Sequence, residues 1–208
     1  MSSAVGREYA GLARRYDRRW ARYNDRSLAL LRPFLAGSHA RHVVDAGCGT
    51  ANLAARLAEW GVGVEHYVGV DLSSEMLLAA RAKLAAAPFL AAVLAADVAA
   101  IPIPGGPIQT VVSASALHDW ARPERALAEI RRVLGNGGRL VLLDWCRDSL
   151  PMSALATALR ILRNPFHRMY SSHEAAELIR GAGFRIVRHE RAPIHFPWEL
   201  MVFDALAE

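Results

Sequence analysis

An open α/β sheet with a ligand crevice at the carboxyl ends of its strands is the fold class this 208-residue sequence predicts, and three observations predict it. A short apolar run, His42 to Ala46, carries Asp45, turns through Gly47 and Gly49, and enters an Ala/Leu-rich segment with helical spacing at Leu53, Leu57 and Trp60. That pattern is strand, tight turn, helix. A second apolar run, HYVGVDLS, ends in Asp71, 22 residues beyond Gly49, where an acidic side chain can accept hydrogen bonds from a ribose diol. A third, FLAAVLAADV, ends in Asp97. Three such strands, each closing on an aspartate, would line one crevice. Glycines at the turn let backbone approach a ligand closely, and the new helix points its free N–H groups the same way, so a nucleoside-carrying cofactor fits there.

Length allows one domain, or one domain with a small lid, and a full α/β core. Hydrophobic residues make up 53% of the chain, much of it Ala. No stretch reaches ~18 apolar residues without a charge, and the amino terminus lacks an apolar signal region, so a cytosolic enzyme is expected. Cys48 and Cys146 are not spaced for a disulfide framework or a zinc site, and no metal is expected. The net charge of +5 rests mainly on arginine, concentrated between Arg7 and Arg41. Those arginines could attract anionic substrates, lipid head groups or nucleic acid, or be a plain solvated surface.

Taken in order, Tyr9, Leu12, Tyr16, Trp20, Tyr23, Leu28, Leu31, Phe34 and Leu35 recur at helical spacing, predicting one or two amphipathic helices before Pro33 restricts the backbone. Ser73, Ser74 and Glu75 read as the cap and first turn of a helix carrying Met76, Leu77 and Leu78 and ended by Pro88. IPIPGGPIQ is turn-rich, and QTVVSASALHDW is the fourth strand. ERALAEIRRVLGNGG is an amphipathic helix with a glycine stop, followed by strand RLVLLDW. At its end Asp144, Trp145 and Cys146 must face alternate ways, so not all can reach one pocket. ALATALRILRNPFHRMY reads as a helix stopped near Asn164-Pro165, then SSHEAAELIRGAGF as a helix capped at Ser172, then strand RIVRHE. PIHFPWELMVFDAL supplies the last strand after a turn at Pro197-Trp198.

The motifs VVDAGCGTANLA, YVGVDLSSEML, LAADVAAIP, TVVSASALHDW and RALAEIRRVLGNGGRLVLLDW, in this order, resemble the class I S-adenosylmethionine-dependent methyltransferases. The resemblance implies a Rossmann-like open twisted sheet of about seven strands, the last antiparallel, with helices on both faces. It also implies an N-terminal helical lid over residues 1–40, a core over 41–208, and a helical insertion at about 148–170. A nicotinamide-binding domain is the competing reading of the glycine turn. Its usual third glycine is replaced here by Asn52, which favours the methyltransferase.

Under that resemblance the cofactor is S-adenosylmethionine, leaving as S-adenosylhomocysteine. Asp45, Ala46, Gly47 and Gly49 would hold its methionine end, Asp71 its ribose, Leu72 and Met76 the adenine or ribose, and Asp97 with the Val98 N–H the adenine edge. Ser113 borders the cofactor, and Tyr16 would close from the lid, with Arg14 or Arg15 near the cofactor's carboxylate. Tyr9 and Tyr16 could equally be packing. His118 and Asp119 are the candidate catalytic residues, His118 having an ordinary pKa suited to a general base, although capping the loop would account for it as well. In the insertion, Met152, Leu155, Leu159 and Leu162 could meet an apolar body, and His167, Arg168 and Tyr170 a polar head.

The layout looks closest to ubiquinone/menaquinone C-methyltransferases and phospholipid N-methyltransferases, so a small organic or amphiphilic acceptor, methylated on O, N or C, is expected. Peripheral contact with a membrane is compatible with this; a nucleic-acid partner is not expected. A nucleic-acid methyltransferase and a non-catalytic cofactor-binding subunit are the alternatives. The complete set of Asp45, Gly47, Gly49, Asp71 and Asp97 weighs against the second of these.

Overall fold

The structure, a computed structural model, describes residues 4–36, 40–106, 108–161 and 168–208, with side chains from Arg15 onward. One sheet holds β1 (His42–Ala46), β2 (His66–Asp71), β3 (Leu90–Ala95), β4 (Thr110–Ala114), β5 (Arg139–Trp145), β6 (Phe184–His195) and β7 (Trp198–Ala207). Their spatial order is β3-β2-β1-β4-β5-β7-β6. Neighbours are parallel except at β7, which lies antiparallel between β5 and β6. This is the expected sheet of seven strands with its last strand reversed. The order turns back at β1, between β2 and β4, and open sheets bind ligands at that switch point.

Seven α-helices among the described residues pack around it: α1 (Ala4–Ala29), α2 (Arg32–Leu35), α3 (Asn52–Glu59), α4 (Ser74–Leu84), α5 (Pro123–Leu134), α6 (Leu150–Ile161) and α7 (Ser172–Gly181). Successive strand residues feed opposite faces. Val43, Val112, Val141 and Leu143 join Leu53 and Leu57 of α3 and Ala80 of α4 on one side. Val44, Val111, Leu140 and Leu142 meet Leu127 and Ile130 of α5 and Ile179 of α7 on the other. Burial on both faces is why these strands read as unbroken apolar runs.

Residues ahead of the sheet form one long helix rather than two, then α2, where Pro33 falls in the first turn and its missing N–H costs nothing. Tyr23, Leu28, Leu31, Phe34 and Leu35 are buried in the same cluster as Val43. Several boundaries differ from the sequence reading. β3 ends at Ala95, two residues before Asp97, and α4 ends at Leu84, ahead of Pro88. The cap of α7 is Ser171, not Ser172, because Glu174 stands three residues on and completes a capping box with it. Tyr9, Arg14, Leu162, Asn164, Pro165 and His167 lie outside the described side chains.

Candidate active site

The cleft begins at the glycine turn. The Gly47 and Cys48 N–H groups donate to the Val70 carbonyl at 2.8 and 3.0 Å, folding the turn over β2. Gly47 has φ +83°, and a Cβ there would sit 2.5 Å from the Ala116 Cβ, so this position excludes other side chains. Asp71 then locks the turn from the end of β2. Its Oδ2 accepts the Gly49 N–H at 2.8 Å and its Oδ1 the Ser73 N–H at 2.9 Å. Burial raises the Asp71 pKa against the pull of those two N–H donors. Each carboxylate oxygen still has a lone pair for a ligand hydroxyl.

Asp45 lies deeper, accepting the Tyr67 hydroxyl at 2.6 Å. Burial pushes its carboxyl up to about 7, the Tyr67 hydrogen bond opposing and Asp71 assisting. On the far wall, Asp97 accepts the Ala99 N–H at 2.9 Å. The loop after it is pinned by α5: Glu129 accepts the Ile101 N–H at 2.8 Å, and Arg132 donates to the Ile101 and Ile103 carbonyls at 3.0 and 2.9 Å.

α1 closes one side. Asp17 accepts from Thr50 Oγ1 at 2.7 Å and Asn52 Nδ2 at 3.0 Å, and pairs with Lys83 Nζ at 2.7 Å. Lys83 also donates to Thr50 Oγ1 and Asn52 Oδ1. This four-residue clamp seats the helix on α3 and α4. Sequence reasoning did not find it, although Asn52, polar where a dinucleotide turn carries its third glycine, and the adjacent Thr50 were the available signal. Further along α1, the Tyr23 hydroxyl shares a 2.8 Å hydrogen bond with Ser115 Oγ and accepts from Trp145 Nε1 at 2.8 Å. Ser115, with φ +57°, and Ala51, with φ +59°, are the non-glycine residues in left-handed conformation among those described, and both flank the cleft. Backbone strain of this kind collects at functional sites.

Of the residues expected at the cofactor, Tyr16, Asp45, Gly47, Gly49, Asp71, Leu72, Met76, Asp97 and Val98 line this single cleft, as does Asp119. Ala46 and Ser113 do not. Ser113 is fully buried and donates to the Ala46 carbonyl at 2.8 Å, tying β4 to β1 behind the floor. The strand ends at Ala114, and the left-handed backbone of Ser115 brings that side chain, not Ser113, to the cleft. Arg15 is exposed and outside the lining, and Met152 and Tyr170 are buried in the two cores.

His118 also stands behind the wall, on a short 3-10 turn, Leu117–Asp119. It is 3% exposed, its Nδ1 lies 2.7 Å from Asp144 Oδ1, and its ring stacks on Trp145 at 3.8 Å. Burial opposes its charge, but Asp144 and Asp119 outweigh it and bring the pKa to about 9. An imidazole already protonated near neutral pH has no lone pair with which to take a proton. A raised pKa stabilises the fold fully below the ordinary value of 6.5, and that contribution is lost as pH rises through 9. We therefore expect the unfolding free energy of the wild type, read from urea melts, to fall across this window by about 3 kcal/mol, and that of His118→Gln to stay flat in it. Parallel curves for the two proteins would show that His118 is not charged in the fold.

Elsewhere among the described residues, His42, Glu65 and His66 gather ligand-type side chains at the amino end of the sheet, opposite the cleft, where Arg41 already pairs with Glu65.

The fold is an open α/β sheet with an acid-lined cleft at the switch point of its strand order. Residues 44–142, from β1 into β5, match the methyltransferase domain family. It is similar to the demethylmenaquinone methyltransferase of Thermus thermophilus, 39% identical over 105 residues, covering 50% of this chain and 47% of that one. It is 33% identical over 157 residues to the ubiquinone/menaquinone biosynthesis C-methyltransferase of Syntrophotalea carbinolica, covering 76% and 59%. The chain thus spans about half the length of the curated relatives it matches. Among solved structures, a SAM-dependent methyltransferase of Thermotoga maritima superposes with a TM-score of 0.74 at 19% identity, over 96% of this chain and 98% of that one, a likeness of fold.

Proposed function

We propose that this protein transfers a methyl group from S-adenosylmethionine to a small organic or amphiphilic acceptor, releasing S-adenosylhomocysteine, and that lipid-like quinols are the first acceptor class to test. One observation carries the reading: Asp45, Asp71, Asp97 and Asp119 face one cleft whose lining, among the described residues, contains no Arg, Lys or His. Such a wall favours a nucleoside with a cationic tail, bearing a sulfonium and an ammonium, and opposes a dinucleotide's pyrophosphate. Calorimetric titration with S-adenosylmethionine, S-adenosylhomocysteine and NAD tests it. Micromolar binding of the first two and none of the third is expected; NAD binding without the sulfonium would overturn the reading. The names of the quinone methyltransferase relatives support the acceptor class, and a cytoplasmic location goes with it. No helix among the described residues is long and apolar enough to cross a membrane.

When bound, S-adenosylmethionine supplies an electrophilic methyl on a sulfonium that departs as a neutral thioether. The protein's task is to align the acceptor in line with it and to receive the acceptor's proton. Asp71 takes the ribose hydroxyls, Asp97 and the Val98 N–H the adenine edge, and Leu72 and Met76 its apolar faces. Asp45 faces the ammonium. With its pKa near 7 it is partly protonated in the free protein, and an adjacent cation lowers that pKa, so binding at pH 7 should expel a fraction of a proton. Calorimetry in buffers of different ionisation enthalpy reads this directly, and Asp45→Asn should abolish the difference between buffers.

Proton acceptance we assign to Asp119, which lines the cleft, rather than to His118 behind it; the imidazolium, with Nε2 3.7 Å from Asp119 Oδ2, helps orient the carboxylate. Asp119→Asn should lower turnover about 100-fold, within the usual range for acid-base catalysis, with cofactor affinity nearly unchanged. Unaltered turnover would remove Asp119 from this role.

A further inference from the structure

The outer face of α1 carries a stripe of arginine. Counted at 3.6 residues per turn, Arg15, Arg18, Arg19, Arg22 and Arg26 fall within an arc of about 100°, and the stripe runs about 16 Å along the axis. All five are exposed. The opposite face, with Tyr16, Trp20, Tyr23 and Ser27, is the one that packs on the core and the cleft. The described acids of α1 are turned to other work: Asp17 is held by Lys83, and Asp25 by Arg56 at 2.6 Å. Arg15, Arg18, Arg19 and Arg22 form no ion pair among the described residues. Arg19 lies over the Trp20 ring, and Arg26 donates to the Ile194 carbonyl at 2.6 Å, so the stripe is anchored beside the β6–β7 hairpin.

That hairpin carries the second observation. Its tip exposes Phe196, 85% accessible, and α6 starts with Leu150, 87% accessible. Both project at the carboxyl end of the sheet, the end where the cleft opens, because β7 begins opposite the last residues of β5 and α6 follows β5 directly. Trp20 and Trp198 join α1 to the hairpin, their ring centroids 6.3 Å apart. A row of cations beside protruding apolar side chains suits a bilayer interface, where phosphates meet guanidinium groups and acyl chains accept the apolar tips. Nucleic acid would use the arginines but gives Phe196 and Leu150 no apolar phase.

We propose that the arginine stripe of α1, with Phe196 and Leu150, docks this protein on an anionic lipid surface, bringing the mouth of the cleft to the bilayer. The docking surface is independent of which acceptor is methylated. Co-sedimentation of the full chain with vesicles tests it. Binding is expected to vesicles containing about one-third phosphatidylglycerol, but not to pure phosphatidylcholine, and to be largely reversed near 1 M salt, where the Debye length is about 3 Å. Arg18→Glu with Arg22→Glu should reduce partitioning more than tenfold, and Phe196→Ser a few-fold, while S-adenosylmethionine affinity stays as in the wild type. Equal binding to both vesicle types, none to either, or full retention by the double variant would overturn the proposal. So would tighter binding to a single-stranded oligonucleotide than to the anionic vesicles at the same salt. Loss of cofactor affinity in the wild type itself would count against the methyltransferase reading and leave the docking result standing.

Discussion

Asp71→Ala should raise the dissociation constant for S-adenosylmethionine by at least 100-fold. Two charge-assisted hydrogen bonds to the ribose diol disappear, each worth about 1.5–3 kcal/mol, and every 1.4 kcal/mol is a factor of ten. The true loss will be larger, because Asp71 also receives the Gly49 and Ser73 N–H groups. Without it the glycine turn and the first turn of α4 lose their common acceptor. Asp71→Asn separates the two effects. It keeps an oxygen for one of the backbone donors, so the turn should hold better while the ribose loses its ionic partner. Isothermal titration of both variants, with thermal unfolding to monitor the fold, is the measurement. Affinity within threefold of wild type in Asp71→Ala would sink the ribose assignment.

Gly47→Val should be the most damaging single change in the cleft. A β-branched residue at φ +83° is strongly disfavoured, with left-handed geometry costing about 1–2 kcal/mol even for a simple side chain. Its Cβ would also arrive 2.5 Å from the Ala116 Cβ, so the β1 and β4 ends must part. We expect stability to fall by roughly 3 kcal/mol, within the range for strain combined with overpacking, and cofactor binding to be undetectable. Gly61→Val makes the comparison, since Gly61 also has positive φ, +65°, but its Cβ would meet nothing within 4 Å. It should show the strain penalty and keep cofactor binding. Equal losses of binding in the two variants would mean that the close approach at Gly47 does not matter.

The parts of the site that depend on neighbours in sequence were readable from the chain. A strand that ends in Asp45, turns at Gly47 and Gly49 and starts a helix is specified within about ten residues, and the 22-residue interval to Asp71 follows from one helix and one connection. Buried on both faces, the central strands showed themselves as continuous apolar runs, whereas the number of strands and the reversal of the last were implied by the family resemblance.

What the sequence could not rank was which of two nearby polar residues faces the ligand. Ser113 and Ser115 lie on one face of a regular strand, yet β4 ends at Ala114, and the left-handed turn at Ser115 redirects that side chain to the cleft while Ser113 stays under it. His118 and Asp119 are neighbours too, but the 3-10 turn sends the imidazole inward to Asp144 and Trp145 and leaves the carboxylate at the cleft. Asp144 is 26 residues away in sequence, and the Asp17 clamp joins positions 33 and 35 apart.

By itself, then, the sequence determined the α/β sheet, the glycine turn and the acidic ring of Asp45, Asp71 and Asp97, because local hydrogen bonding and hydrophobic periodicity encode them. Only the tertiary structure decided that His118 is buried against Asp144 while Asp119 faces the cleft, and that α1 is clamped by Asp17 with its described arginines turned outward. Those outcomes depend on pairings between distant segments, which exist only after the sheet has closed its register and buried both of its faces.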